Sequence, residues 1–529
     1  MRSLRRRSAG HVPGWTGVGK PAARTTGLQE IDGGKQGPGV ARRAAGPGWW
    51  GADIRGILPL TAASRGRAPC ATCRRWCIYE ANQGGVMERG MSWLLSWVFV
   101  ATASVAVGVD AADLEPAAPE QVGMSSARLD RIGAVVQGSI DRKEISGAVV
   151  GVTRQNKLVY LKSFGTVDPE SQATMRDDSI FRIASMTKAI TSVAVMTLYE
   201  DGKLLLWDPV SKYIPEFKSP KVLVPVTPGD PKTEYTTVSA KREITILDLL
   251  SHTSGISYQF WNKPQIAPLY AKAGVSDGLE PVPGTIGDNV KRLAALPLVN
   301  QPGEAYEYGL NTDVLGYLVE VVSGMPLDQY FQERIFTPLK MRETQFYVTP
   351  AQRSRLAALY IPDGQGAMTK APETIVRWDG LAFAASAPYG ENRKYFSGGA
   401  GLTSTAKDYL RFMQMLINGG ELDGARILSR KSVELMTTNQ IGDLKVWEYF
   451  PLHAFGFWGD RFGLGFGLRT AAGQKELGSV GEYTWGGIYS TRFWIDPAEK
   501  IGIVVMAQRI PRDPEMEARI HSLVYQSLK

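Results

Sequence analysis

Cysteine is nearly absent from this chain. Its 529 residues hold three, Cys70, Cys73 and Cys77, and none follows them. A disulfide framework is therefore excluded for everything after residue 86, and a folded domain there must be held by its apolar core, which the length allows. The three cysteines are spaced C-x-x-C-x-x-x-C with no fourth cysteine or histidine beside them, so a metal site is set aside. Histidine is scarce too: His11, His252, His453 and His521 are all there are. Net charge is small outside the leader. Residues 1–86 carry 14 Lys+Arg against 4 Asp+Glu, so with a total of +8 the remainder nets about −2. The basic balance belongs to the leader and does not indicate a nucleic-acid partner.

One long apolar run occurs, from Trp93 to about Val109. It follows Met87, Arg89 and Met91, and the small residues Ala103, Ala106 and Ala111–Ala112 offer a cleavage site. This is the layout of a secretory signal peptide, slightly short for a membrane span. The expected organisation is a disordered or spurious extension at 1–86, a signal-like segment at 87–112, and one domain at 113–529. Translation would start at Met87 or Met91, and the product would be periplasmic or secreted, with no stable membrane partner after signal removal. The rival is a basic cytoplasmic tail ahead of a membrane anchor.

The domain reads as α/β. Residues 125–137 carry a helical face of Leu129, Ile132 and Val136. Residues 147–153 and 157–161 read as two strands joined by a short Arg-Gln-Asn turn. Helices are expected from Ser185, over 244–250, 287–296, 313–324 and 407–418, and at 514–528. Strands are expected at 463–468, 478–483, 491–495 and 501–507. Strands at both ends with helices between them imply one sheet built from both termini and an inserted, mainly helical domain.

Three elements carry chemistry. Ser185-Met186-Thr187-Lys188 opens a helix, and residues three apart share a helix face, which brings the amine within reach of the hydroxyl. A serine needs such a base to act as a nucleophile. The bland alternative is a helix N-cap. A second copy, Ser404-Thr405-Ala406-Lys407, leads into Asp408 and an apolar-periodic run, and there capping by Thr405 is the better reading. Tyr308 follows a Pro302-Gly303 turn and precedes a helix, so its hydroxyl can reach a cleft; alone it would read as a packing residue. Trp485-Gly486-Gly487-Ile488 precedes a strand, and paired glycines at a strand edge let a substrate approach the backbone.

Together these make residues 121–528 resemble the serine β-lactamase-like superfamily, which includes class C β-lactamases, D-alanyl-D-alanine carboxypeptidases and family VIII carboxylesterases. Ser185 and Lys188 match its Ser-x-x-Lys motif. Tyr308 matches the tyrosine of Tyr-x-Asn. Trp485-Gly486-Gly487 stands where β-lactamases have Lys-Thr-Gly or a His variant, and the phrases LLSHTSGI and DPVSKYIPEF are family-like. The resemblance implies a β-lactamase/transpeptidase-like fold with an antiparallel sheet flanked by helices. It implies acyl transfer on Ser185, with proton relay by Lys188 and Tyr308. The N–H groups of Ser185 and Ile488 would form an oxyanion hole, beside Trp485, Gly486 and Gly487. Neither metal nor cofactor is implied. Two positions depart from the pattern: Leu310 stands where the motif has Asn, with Asn311 one residue late, and Trp485 replaces the cation. Tryptophan offers an apolar wall and no charge, which costs an anionic β-lactam more than a neutral ester. The expectation is a carboxylesterase acting on a small-molecule ester, with a β-lactamase or D-alanyl-D-alanine carboxypeptidase as the alternative, and a non-catalytic binding protein of the same fold after that. The segment 256–305 is expected to line the acyl site.

A competing nucleophile is Ser276 in Gly274-Val275-Ser276-Asp277-Gly278, a G-x-S-x-G pattern. That motif works at a strand-to-helix turn with a later histidine. Here no strand precedes it, and the later histidines are His453, in an aromatic stretch, and His521, in the terminal helix. His252 reads as a turn residue.

Overall fold

The computed structural model describes residues 114–229, 234–261, 263–378, 380–391, 393–446, 460–473 and 475–529. The leader, the signal-like segment and His453 lie outside them.

An eight-stranded antiparallel sheet forms the frame. Its order is Arg461–Phe462, Gly467–Leu468, Tyr483–Gly487, Thr491–Asp496, Ile501–Met506, Gly147–Arg154, Lys157–Asp168, Ala173–Thr174. The N- and C-terminal parts of the domain meet at its centre, where Val150 pairs with Val505. Gln155 and Asn156 both have positive φ, which makes the first hairpin the two-residue turn whose twist suits antiparallel strands.

Side chains alternate across the central strands and both faces are covered. Ala148, Val150, Val152, Ile503 and Val505 pack under the Arg131–Asp141 and Pro514–Gln526 helices. Val149, Val504 and Met506 face the other way, toward the Thr187–Glu200 and Ala406–Ile417 helices. A strand buried on both faces loses polar alternation and reads as continuous apolar sequence. The Ala406–Ile417 helix lies so close to the sheet that a Cβ on Gly151 would sit 2.7 Å from Leu410.

Two strand expectations are corrected. Residues 463–468 do not form one strand; Gly463 N–H bonds Phe466 O, and Gly465 has φ +89°, so the chain turns between Arg461–Phe462 and Gly467–Leu468. The strand expected at 478–483 starts only at Tyr483, because Gly478 and Gly481 hold positive-φ turns before it. Between Thr187 and Ile417 the regular elements are mainly helices, joined by long loops and by short hairpins such as Lys221–Pro225 with Tyr235–Ser239 that the sequence reading did not include. Among the described residues no helix is long and apolar enough to cross a membrane.

Candidate active site

Ser185 sits in a one-turn 3-10 segment, Ala184–Met186, that runs directly into the Thr187–Glu200 helix. Ala184 has φ +41°, a left-handed conformation that costs free energy in a residue with a Cβ and that is found at functional turns. Ser185 makes no capping bond, so the bland reading of this serine fails. It is half-buried while its neighbours are buried.

Lys188 lies one turn further on and is 1% exposed. Its Nζ donates to Ser185 Oγ at 3.2 Å, to Tyr258 OH at 2.9 Å and to the Gly399 carbonyl at 2.7 Å. Tyr308 OH donates to Ser185 Oγ at 2.8 Å. Lys188 also stands 5.0 Å from the centre of the Tyr308 ring and 5.5 Å from that of Tyr258.

Tyr308 is held on every side. Trp261 Nε1 bonds its carbonyl at 2.7 Å. The backbone on either side ties to the 252–257 loop, Glu307 N–H to His252 O and Leu310 N–H to Ser257 O. Its ring packs on His252 at 4.8 Å, Trp485 at 5.2 Å and Tyr258 at 5.4 Å between centres. His252 is buried; burial, with the charge of Lys188 nearby, drives its pKa well below the usual value. Neutral Nδ1 then accepts from Asn311 Nδ2 at 2.9 Å. His252 is thus more than a turn residue, since its ring supports Tyr308.

Trp485 departs from the expected wall. It is 2% exposed, and its Nε1 donates to Tyr308 OH at 3.3 Å. Gly487 touches the Ser185 turn; a Cβ there would lie 2.3 Å from Ile183 O, and Thr491 Oγ1 bonds the same carbonyl. This seats the end of the Tyr483–Gly487 strand, with Ile488 after it, against the turn that carries Ser185. Gly486 faces Arg512, whose guanidinium a Cβ would meet at 3.1 Å.

The displaced motif position resolves clearly. Leu310 is fully buried, and the Asn311 side chain bonds Ser254 and His252. Tyr258 instead supplies the polar group beside Lys188. Burial chiefly, with Asp313 and Asp277 near, pushes its phenol far up, so it stays protonated. The sequence reading missed Tyr258; its one signal was its place just after the family-like LLSHTSGI.

The competing serines are structural. Ser276 follows the Ala267–Ala273 helix, with no strand before it, and its Oγ accepts from Gly278 N–H. It lines a cavity of about 810 Å³ together with Asp277, Glu280, Arg292 and Arg377, and none of Ser185, Lys188 or Tyr308 lines that cavity. Thr405 caps the Ala406–Ile417 helix by accepting from Asp408 N–H, and Lys407 pairs with Asp177. His521 is buried against Glu482, far along the chain from any serine considered above. Among the described residues no group of His, Cys, Asp or Glu is arranged to hold a metal ion.

The fold and this arrangement have counterparts. Residues 132–526 match the Beta-lactamase family. The chain belongs to that family. Among its relatives, protein Rv1367c of Mycobacterium tuberculosis (strain H37Rv) is 34% identical over 394 residues, 72% of this chain and 90% of that protein. Esterase EstB of Burkholderia gladioli is 31% identical over 410 residues, 75% of this chain and 94% of EstB. Of solved structures, EstCE1, described as a hydrolase with promiscuous acyltransferase activity, superposes with a TM-score of 0.64 at 28% identity, covering 75% of this chain and 99% of its own.

Proposed function

We propose that this enzyme hydrolyses small-molecule carboxylic esters, short acyl chains included, through an acyl-enzyme on Ser185. The observation that carries the reading is the convergence of Lys188 Nζ and Tyr308 OH on the half-buried Ser185 Oγ, at 3.2 and 2.8 Å. Ser185 Oγ bonds to the ester carbonyl carbon while Tyr308 and Lys188 take up its proton. They return it to the alkoxide as the C–O bond breaks, and the alcohol leaves. Water then attacks the acyl-enzyme, gives its proton back along the same path to Ser185 Oγ, and the acid departs. The N–H groups of Ser185 and Ile488 hold the oxyanion, each worth roughly 3 kcal/mol in such a role. No step calls for a metal or cofactor.

Trp485 favours an ester over a β-lactam. It supplies an N–H to Tyr308 and no cation for a substrate carboxylate. The likeness to proteins named as an esterase and as a hydrolase with acyltransferase activity supports the same choice. The test is hydrolysis of p-nitrophenyl butyrate and nitrocefin, side by side, by residues 113–529 and their Ser185→Ala variant. Fast ester turnover, weak nitrocefin turnover and loss of both in the variant are expected. Dominant nitrocefin turnover would replace the esterase reading with a β-lactamase.

A further inference from the structure

Lys188 is buried, yet every group it bonds directly is neutral: a hydroxyl, a phenol and a carbonyl. A buried ammonium without a counter-charge is costly. The carboxylate that meets it comes from Asp313, in the first turn of the Asn311–Ser323 helix and itself 1% exposed. Asp313 Oδ1 accepts from Ser397 Oγ at 2.6 Å, while Oδ2 receives no hydrogen bond among the described residues. Gly399 lies between the two charges. A Cβ on it would stand 2.3 Å from Asp313 Oδ2 and 3.4 Å from Lys188 Nζ, so no more than about 6 Å divides them. Any side chain at 399 would drive the pair apart.

We propose that Asp313 is a positioning residue of this site: it is the buried acid that faces Lys188 across Gly399, holds its Nζ on Ser185 and balances the charge Lys188 gains when it takes up the serine proton. The helix that follows Tyr308 thereby serves the site twice, once through the loop that presents the phenol and once through this carboxylate. Other groups facing the pair do not supply the charge. Ser397, Tyr258 and Tyr395 surround Asp313, and burial keeps both phenols protonated. Ser185, Tyr308 and His252 surround Lys188, and His252 is neutral. Asp277 is the other acid nearby, but its carboxyl already accepts from the Gln259 and Phe260 N–H groups, and burial pushes it up to about 7. Burial raises the Asp313 carboxyl above its usual value, and the Ser397 hydroxyl first and the Lys188 charge second draw it back down.

The proposal rests on the reading of Ser185, Lys188 and Tyr308 as the reacting groups for its activity arm only. Asp313→Asn, Lys188→Met and the double variant are compared by thermal unfolding at mildly alkaline pH, and the first of them by kcat and KM for p-nitrophenyl butyrate. Asp313→Asn should lower Tm in the wild-type background and not in the Lys188→Met background, because there the partner is gone. Its kcat should fall at least about tenfold with KM unchanged. An equal Tm loss in both backgrounds, a kcat that falls by less than that, or a loss carried by KM would overturn it. If Asp313→Asn does not fold alone, recovery of folding in the double variant supports the pair, and failure in both contradicts it. A protein that shows the Tm coupling but no ester turnover keeps the counter-charge and loses the functional reading.

Discussion

At the scale of single residues, the site is a serine flanked by an amine and a phenol, with each of those held by a further neutral partner. Tyr308→Phe removes one of the two groups on Ser185 Oγ and should cut kcat by about 10² to 10⁴, with Tm little changed; a variant within threefold of wild type in ester assays would remove Tyr308 from the relay. Trp485→Phe deletes a single long hydrogen bond to the same phenol, worth about 1 kcal/mol, so steady-state kinetics should show a loss of about fivefold. Ser185 and Lys188 were legible in sequence because their proximity is set by one helical turn. Tyr308 was legible because of the loop and helix around it. Tyr258 was not, since its hydroxyl reaches Lys188 across 70 residues of chain and nothing local marks it. Asn311 misleads for the same reason: its partners, Ser254 and His252, are tertiary.

Elements hold these residues through close packing and one buried acid. The Ala406–Ile417 helix presses Leu410 onto Gly151, so Gly151→Val should overpack that contact and cost about 1–3 kcal/mol, seen as a lower Tm in calorimetry. The first turn of the same helix carries Asp408, whose carboxylate accepts from Glu343 N–H and Thr344 Oγ1. Burial pushes its pKa up to about 6 from 3.8. Folded Asp408 therefore holds its proton more tightly than the unfolded chain does, and its contribution to stability declines as pH rises from about 4 to about 6, then stays level. Relative to Asp408→Asn, which keeps the accepting oxygen, the wild type should lose on the order of 2–3 kcal/mol across that window; denaturant melts of both at each end would show it, and parallel curves would contradict it. The central strands were readable as short continuous apolar runs, and the Ala406–Ile417 helix because its periodicity sets its apolar face on the sheet. The 461–468 hairpin was not, because two apolar strand ends separated by Gly463 and Gly465 read as one run.

For the whole molecule, the decisive feature is that one sheet joins both ends of the domain. Ser125 N–H bonds Ser527 O, and the Pro514–Gln526 helix covers the same sheet face as Arg131–Asp141. A chain ending at Arg512 should uncover Trp494, Ile503 and Val505 and be recovered insoluble, which fractionation after expression would reveal. The sheet brings the strand ending at Gly487 to the Ser185 turn, while the helical insertion brings Tyr258, Tyr308 and Asp313, so the site lies where the two parts meet. That arrangement was foreseeable from strands at both ends of the sequence, whereas the short hairpins within the insertion have too few residues to show a period. The account turns on which serine reacts. A fluorophosphonate probe applied to the wild type, Ser185→Ala and Ser276→Ala tests this most directly. Labelling of the wild type and of Ser276→Ala, with none of Ser185→Ala, is the predicted result; labelling that survives in Ser185→Ala, or is lost in Ser276→Ala, would contradict it.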